Sequence, residues 1–212
     1  MEFQAGDMLR FGWETFKKRP WILIGAFAIT MTAGWLVNLV SESLGYGGLR
    51  NILGIAISAA GSALIGMGVI AFLLKAHESV ESVSLKELWH PEPFWKYFGT
   101  VILYGIATAV GLVLLIIPGV IAMLALQFGD YIVIDKGLGP IEALKESMRI
   151  TRGNLWELLV LFALIAALNI VGALALLVGL FVTVPVSWLA IVHAYRTLEH
   201  KASWVAVGAS NV

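Results

Sequence analysis

The chain has 212 residues, 59% hydrophobic and 13% charged, with 14 Lys and Arg balancing 14 Asp and Glu and a mean hydropathy of +0.89. No water-soluble domain of this length carries that much apolar surface, so the chain reads as a polytopic membrane protein. The absence of cysteine excludes disulfides, thiolate metal sites and cysteine nucleophiles, and leaves the compartment unreadable from thiol usage.

The segment before Pro20 holds Glu2, Asp7, Arg10, Glu14, Lys17, Lys18 and Arg19 and no apolar core, so no cleaved signal is expected and the first span acts as its own insertion signal. Within residues 6–19, Met8, Leu9, Gly12, Trp13 and Phe16 recur at helical spacing, with Arg10, Glu14, Lys17 and Lys18 largely elsewhere on the wheel. This predicts a short amphipathic helix, either lying among the headgroups or packed on the bundle as a cap. Residues 20–41 are uncharged, and Trp21 and Trp35 sit where interfacial aromatics anchor a first crossing. A loop at 41–50, with Gly45, Gly47 and Gly48, leads to a second crossing at 51–74. There Gly54, Ser58, Ser62 and Gly66 form a small-residue ridge that admits a neighbouring helix, from this chain or from another subunit.

Residues 75–93 are polar. Ser84 precedes Glu87 at capping-box spacing and predicts a short helix through Leu85, Leu88 and Trp89, ended by His90-Pro91-Glu92-Pro93. Residues 97–129 then carry no charge, and one helix of that length would reach about 50 Å, far beyond a hydrocarbon core of roughly 30 Å. The chain must double back, and Ile117-Pro118-Gly119 is where it does so: Pro118 cannot donate to a helix, Ile117 is pushed from the α region, and Gly119 tolerates the reversal. After Asp135 and Lys136, Gly137-Leu138-Gly139 turns the chain and Pro140 opens another in-plane helix with Ile141, Leu144, Lys145 and Met148 on its apolar face. Residues 158–195 are again too long for one crossing. Gly172 and Gly179 bracket a turn, Pro185 kinks the sixth span, and the tail at 202–212 has no pattern and is expected to fray.

Superposing Trp95 on Trp156 brings Gly111 onto Gly172 and Gly119 near Gly179, and superposing Trp21 on Trp156 brings Leu9 onto Leu144. The pattern reads as three copies of one unit, although any amphipathic helix feeding a span would share part of it. The expected fold is all-α: one domain over 1–201 with six transmembrane helices as three hairpins (units about 6–76, 77–138 and 139–200), in-plane helices on the cytoplasmic side, and a tail at 202–212.

Leu115-Ile116-Ile117-Pro118-Gly119, then Glu142-Ala143-Leu144-Lys145-Glu146-Ser147 with Gly153 and Trp156, and further on Val178-Gly179, Thr183, Pro185 and Tyr195-Arg196, carry a resemblance over nearly the whole chain. The pattern resembles the six-span membrane domain that precedes a glycerophosphodiester phosphodiesterase barrel in some bacteria, and a group of related stand-alone bacterial membrane proteins. The barrel and its His-Arg-Gly signature are absent from this sequence, so the phosphodiesterase activity does not carry over. The resemblance implies residence in the bacterial cytoplasmic (inner) membrane and an association with lipid or envelope metabolism.

Ionisable groups within spans are costly, by ~2.5 kcal/mol or more at the centre, so each needs an account. Asp130, Glu157 and His193 all fall in the cytoplasmic third. They read either as a proton- or cation-handling cluster below Pro185, or as separate groups that reach headgroups or pair with Lys136, Arg149 or Arg152. Gln127, Asn38 and Asn169 are amides expected to bond neighbouring helices. His77, His90, His193 and His200 match no metal-ligand spacing; no metal, cofactor, catalytic residue or nucleic-acid partner is assigned. Three classes of function stand in this order: a non-catalytic accessory or scaffold module associated with membrane lipids, other subunits or its own copies; a small-solute or ion transporter or channel; a lipid-modifying enzyme.

Of the 14 Lys and Arg, only Arg50 falls outside the segments before span one, between spans two and three, between four and five, or after six. This asymmetry puts both termini in the cytoplasm. In a chain with no native thiol, Arg50→Cys should react with a membrane-impermeant reagent on intact cells and Lys136→Cys should not. Equal labelling of the two contradicts six crossings.

Overall fold

The structure, a computed structural model, describes residues 3–43, 48–175 and 178–210, with side chains of 48–50 and 205–210 not described. Gly45 and Gly47 of the expected 41–50 loop lie outside these residues, as do 211–212 of the tail. The described residues are helical throughout, without strands: α1 (Ala5–Lys18), α2 (Pro20–Ser43), α3 (Gly48–Glu78), a 3-10 turn (Leu85–Leu88), α4 (Phe94–Leu114), α5 (Ile116–Leu126), α6 (Gly129–Lys136), α7 (Pro140–Thr151), α8 (Leu155–Leu174) and α9 (Leu180–Ser210). Six stretches are long and apolar enough to cross a membrane: α2, α3, α4, α5 continued by α6, α8 and α9. The second, fourth and sixth of these bury at least twice the share of residues that the first, third and fifth do. One helix of each hairpin thus forms the interior, where Met67, Phe72, Phe128, Ile132, Leu189 and Tyr195 are fully buried, and the other lies outside it.

Two hairpins close in the same way. α4 ends at Leu114, Leu115 is extended (φ −163°, ψ 144°), and α5 begins at Ile116. The reversal therefore precedes Pro118, which sits in the first turn of α5, where a missing N–H leaves no bond unmade. Gly119 then lies on Gly111, so close that a Cβ on Gly111 would stand 2.9 Å from the Gly119 Cα. In the last hairpin a Cβ on Gly179 would stand 2.5 Å from the Gly172 carbonyl oxygen. Each crossing point is backbone on backbone, which only glycine permits.

The amphipathic segments differ from one another. α1 is a cap packed on α8 and α9, with Met8, Gly12 and Phe16 buried and Trp13 half-exposed. The predicted helix at Leu85 is a single 3-10 turn in which the Ser84 hydroxyl accepts from the Lys86 N–H; Pro91 and Pro93 leave no room to extend it. α7 buries Ala143, Ser147, Ile150 and Thr151, while Ile141 and Met148 of the expected apolar face are exposed. The reason lies in the fourth span, whose helix breaks between Leu126 and Gly129. Ser147 donates to the Ala125 carbonyl (2.8 Å) and accepts from the Phe128 N–H (3.1 Å), and Thr151 also reaches Ala125 (3.2 Å). Backbone freed within a membrane span needs such partners, so the small polar face turns inward. The tail expected to fray continues α9 to Ser210, with Arg196 and Glu199 paired along it.

The small-residue ridge of α3 divides between partners of this chain. Gly54 meets α2, where the Ser41 hydroxyl donates to the Gly54 carbonyl (2.8 Å), and Gly66 meets the Tyr97 hydroxyl of α4. Ser58 and Ser62 line an open groove with Ser41, Asn51 and Ile55, and Ser62 is exposed. Gly54→Leu should therefore destabilise the fold by about 1–3 kcal/mol through overpacking, while Ser62→Leu should be near neutral. Thermal unfolding of both variants in detergent checks this, and equal losses contradict the division of the ridge.

Candidate functional site

At one end of the bundle the last turns of α3 and α6 and the middle of α9 meet α7 through a network of charges. Arg196 grips Asp135 with two hydrogen bonds, Nη1 to Oδ2 and Nη2 to Oδ1, both 2.9 Å, and the Tyr195 hydroxyl donates to the same carboxylate at 2.8 Å. These side chains are only 18% and 15% exposed for Arg196 and Asp135, so the paired, planar geometry matters more than it would at a surface. Arg196 also pairs with Glu199 (3.1 Å) and approaches Glu78 (3.5 Å); Lys136 bridges Glu199 (3.0 Å) and Glu146 (3.2 Å), and Arg149 holds Glu146 at 2.7 Å. The hydrogen bond from Arg149, helped by Lys136, holds the Glu146 carboxyl down to about 2 despite partial burial, which acts the other way. Arg149 is raised in turn by that bond.

Beside this network a cavity of about 670 Å³ is lined by His77, His193, Arg196, His200, Lys201 and Trp204. The His77 Nε2 and His193 Nδ1 stand 2.9 Å apart, one donating to the other, and the His193 ring stacks on Phe11 with centroids 3.9 Å apart. Three of the four histidines thus share one cleft. Their positions along the chain give no hint of it, because His77 and His193 are 116 residues apart and meet only when α3 packs on α9.

The three ionisable residues singled out in the sequence do not form one cluster. His193 belongs to the histidine cleft. Glu157 borders a second cavity with Gln4, Gly6 and Asn154; Lys201 lines both and donates to the Asn154 side chain (2.8 Å). Asp130 borders a third, between α4, α6, α8 and α9. The physical reason for the separation is that α6, α8 and α9 present these residues on different faces, with Asp135, Tyr195 and Arg196 filling the seam between α6 and α9. Of the amides, Asn169 ties α8 to α9 by donating to the Ser187 hydroxyl (3.0 Å), Asn38 bonds only its own helix at Gly34 (3.1 Å), and Gln127 sits at the break in the fourth span.

The family described as "Domain of unknown function (DUF7847)" matches residues 38–212, from within α2 to the end of the chain. The chain is 23% identical, over 93% of its length and 69% of theirs, to the uncharacterized proteins Rv2560 of Mycobacterium tuberculosis (strain ATCC 25618 / H37Rv) and Mb2590 of Mycobacterium bovis. No solved structure matches.

Replacing the Asp135 carboxylate by an amide removes the charge and turns one of the two oxygens that accept from Arg196 and Tyr195 into a donor facing donors. Asp135→Asn should cost about 3 kcal/mol, toward the low end for breaking a buried pair because Glu199 still holds Arg196. The double variant Asp135→Leu, Arg196→Met should cost less than Asp135→Asn alone. Unfolding midpoints in detergent measure both, and a double variant worse than the single contradicts this account of the pair.

Proposed function

The chain belongs to the DUF7847 family, and from that premise we propose that it is a non-catalytic accessory or scaffold module that associates with lipid or with a larger membrane assembly. The observation that carries the reading is a set of three outward tryptophans. Trp21, Trp95 and Trp156 open α2, α4 and α8, the outer helix of each hairpin, and are 83%, 79% and 71% exposed. Indole rings standing free at equivalent span ends suit the headgroup boundary, where one edge is apolar and the N–H is wet. The charged network supports the same reading, because its acids and bases are spent on one another rather than converging on an open position. The resemblance to the membrane domain that precedes glycerophosphodiester phosphodiesterase barrels also favours lipid association. In this reading the protein resides in the bacterial cytoplasmic membrane with both termini inside, as the Lys and Arg asymmetry suggests.

Extraction of the full chain with its surrounding native lipid tests the proposal. A stoichiometric second chain, or a lipid class enriched over the bulk membrane, is expected, with the lipid enrichment reduced in a Trp21→Ala, Trp95→Ala, Trp156→Ala variant that still inserts. A lone chain in lipid of bulk composition, or solute flux through the purified chain in vesicles, contradicts it.

A further inference from the structure

Asp130 is an acid of the spans that the charged network leaves out. It lies in the fourth span, one residue into α6, and its Oδ1 accepts the Tyr131 N–H at 2.9 Å. Among the described residues no Lys, Arg or His pairs with it; Lys136 and Arg196 are held by Glu146, Glu199 and Asp135, and Lys96, one turn before Thr100 on α4, donates to the Gly137 carbonyl (2.8 Å). A carboxylate within a span and without a counter-charge is costly unless it takes up a proton or something positive comes to it.

The space beside it is suited to such a visitor. A cavity of about 260 Å³ is bordered by Asp130, Thr100, Tyr104, Gln127, Tyr131 and Phe162. The Thr100 hydroxyl already donates to the Lys96 carbonyl (2.8 Å), so only its lone pairs remain to offer. A bare metal cation asks for six or more oxygens close in, whereas this wall is largely aromatic and apolar and offers one carboxylate. Aromatic rings around a single negative charge are the chemistry that recognises organic ammonium groups. We propose that this cavity binds a small organic ammonium group, with Asp130 as counter-charge and the rings of Tyr104, Tyr131 and Phe162 as its walls. The group could belong to a soluble amine or to the ethanolamine headgroup of a lipid entering from the bilayer. The inference goes beyond the accessory role and does not depend on it.

The test uses the full chain in nanodiscs made only of phosphatidylglycerol, titrated with ethanolammonium or tetramethylammonium chloride against equal sodium chloride. A saturable rise of the unfolding midpoint by about 4 °C is expected with an ammonium salt and not with sodium. The rise should vanish in Asp130→Asn, persist in Tyr104→Phe and weaken at least about fivefold in concentration dependence in Tyr104→Leu, which reads the ring if Asp130→Asn does not fold. A second arm adds phosphatidylethanolamine to the discs. If the headgroup is the ligand, this lipid raises the midpoint of the wild type and removes the response to soluble amine; if a soluble amine is the ligand, the response remains. An equal rise with sodium, an unchanged rise in Asp130→Asn or Tyr104→Leu, or no rise in either lipid setting overturns the proposal.

Discussion

Backbone groups inside a bilayer have no water to bond, and the break in the fourth span is where this constraint acts most strongly on the structure. Between Leu126 and Gly129 the helix gives up its ladder, and Ser147 and Thr151 of α7 take over its loose ends. That requirement fixes which face of α7 turns inward. It also anchors α7 beside α6, so that Glu146 reaches Lys136 and the charged network can close across α6, α7 and α9. By restarting the helix at Gly129, the break sets the direction in which Asp130 leaves α6.

The spans and their pairing were legible because they rest on local signals. A run of uncharged residues too long for one crossing must turn, and Gly111, Gly119, Gly172 and Gly179 mark both corners. Legibility ended where a residue answers to something distant. The wheel of α7 shows Ile141 and Met148 on its apolar face but not that Ser147 is buried, because Ser147 serves a carbonyl 22 residues earlier. The α3 ridge could be seen, but not that Gly54 and Gly66 serve different helices while Ser58 and Ser62 serve neither.

The same distinction governs the candidate sites. Asp130, Glu157 and His193 share a depth, which sequence can estimate from distance to the nearest span end, but not a face, which depends on how three helices rotate against one another. The histidine cleft was invisible for the complementary reason. His77 closes one span and His193 lies near the end of another, and neither has a local motif; they meet through the packing of α3 on α9. The aromatic wall beside Asp130 likewise draws Tyr104 from α4 and Phe162 from α8.

The repeated unit gives the charged network a further logic. Asp135 and Arg196 are 61 residues apart, the offset that superposes Trp95 on Trp156, so the central ion pair joins positions that the repeat expected from the sequence would make equivalent. Equivalent positions in a bundle of repeated hairpins fall at the same depth and near the shared axis, where identical charges would repel and identical apolar residues would carry no preference for one neighbour. Opposite charges there favour one adjacency over the others, which is the register-setting role best attested for buried ion pairs. Glu78, at the end of the first unit's inner helix, stands 3.5 Å from the same guanidinium. Charged groups of all three inner helices therefore meet at Arg196, with Asp135 of α6 held far more closely than Glu78 of α3.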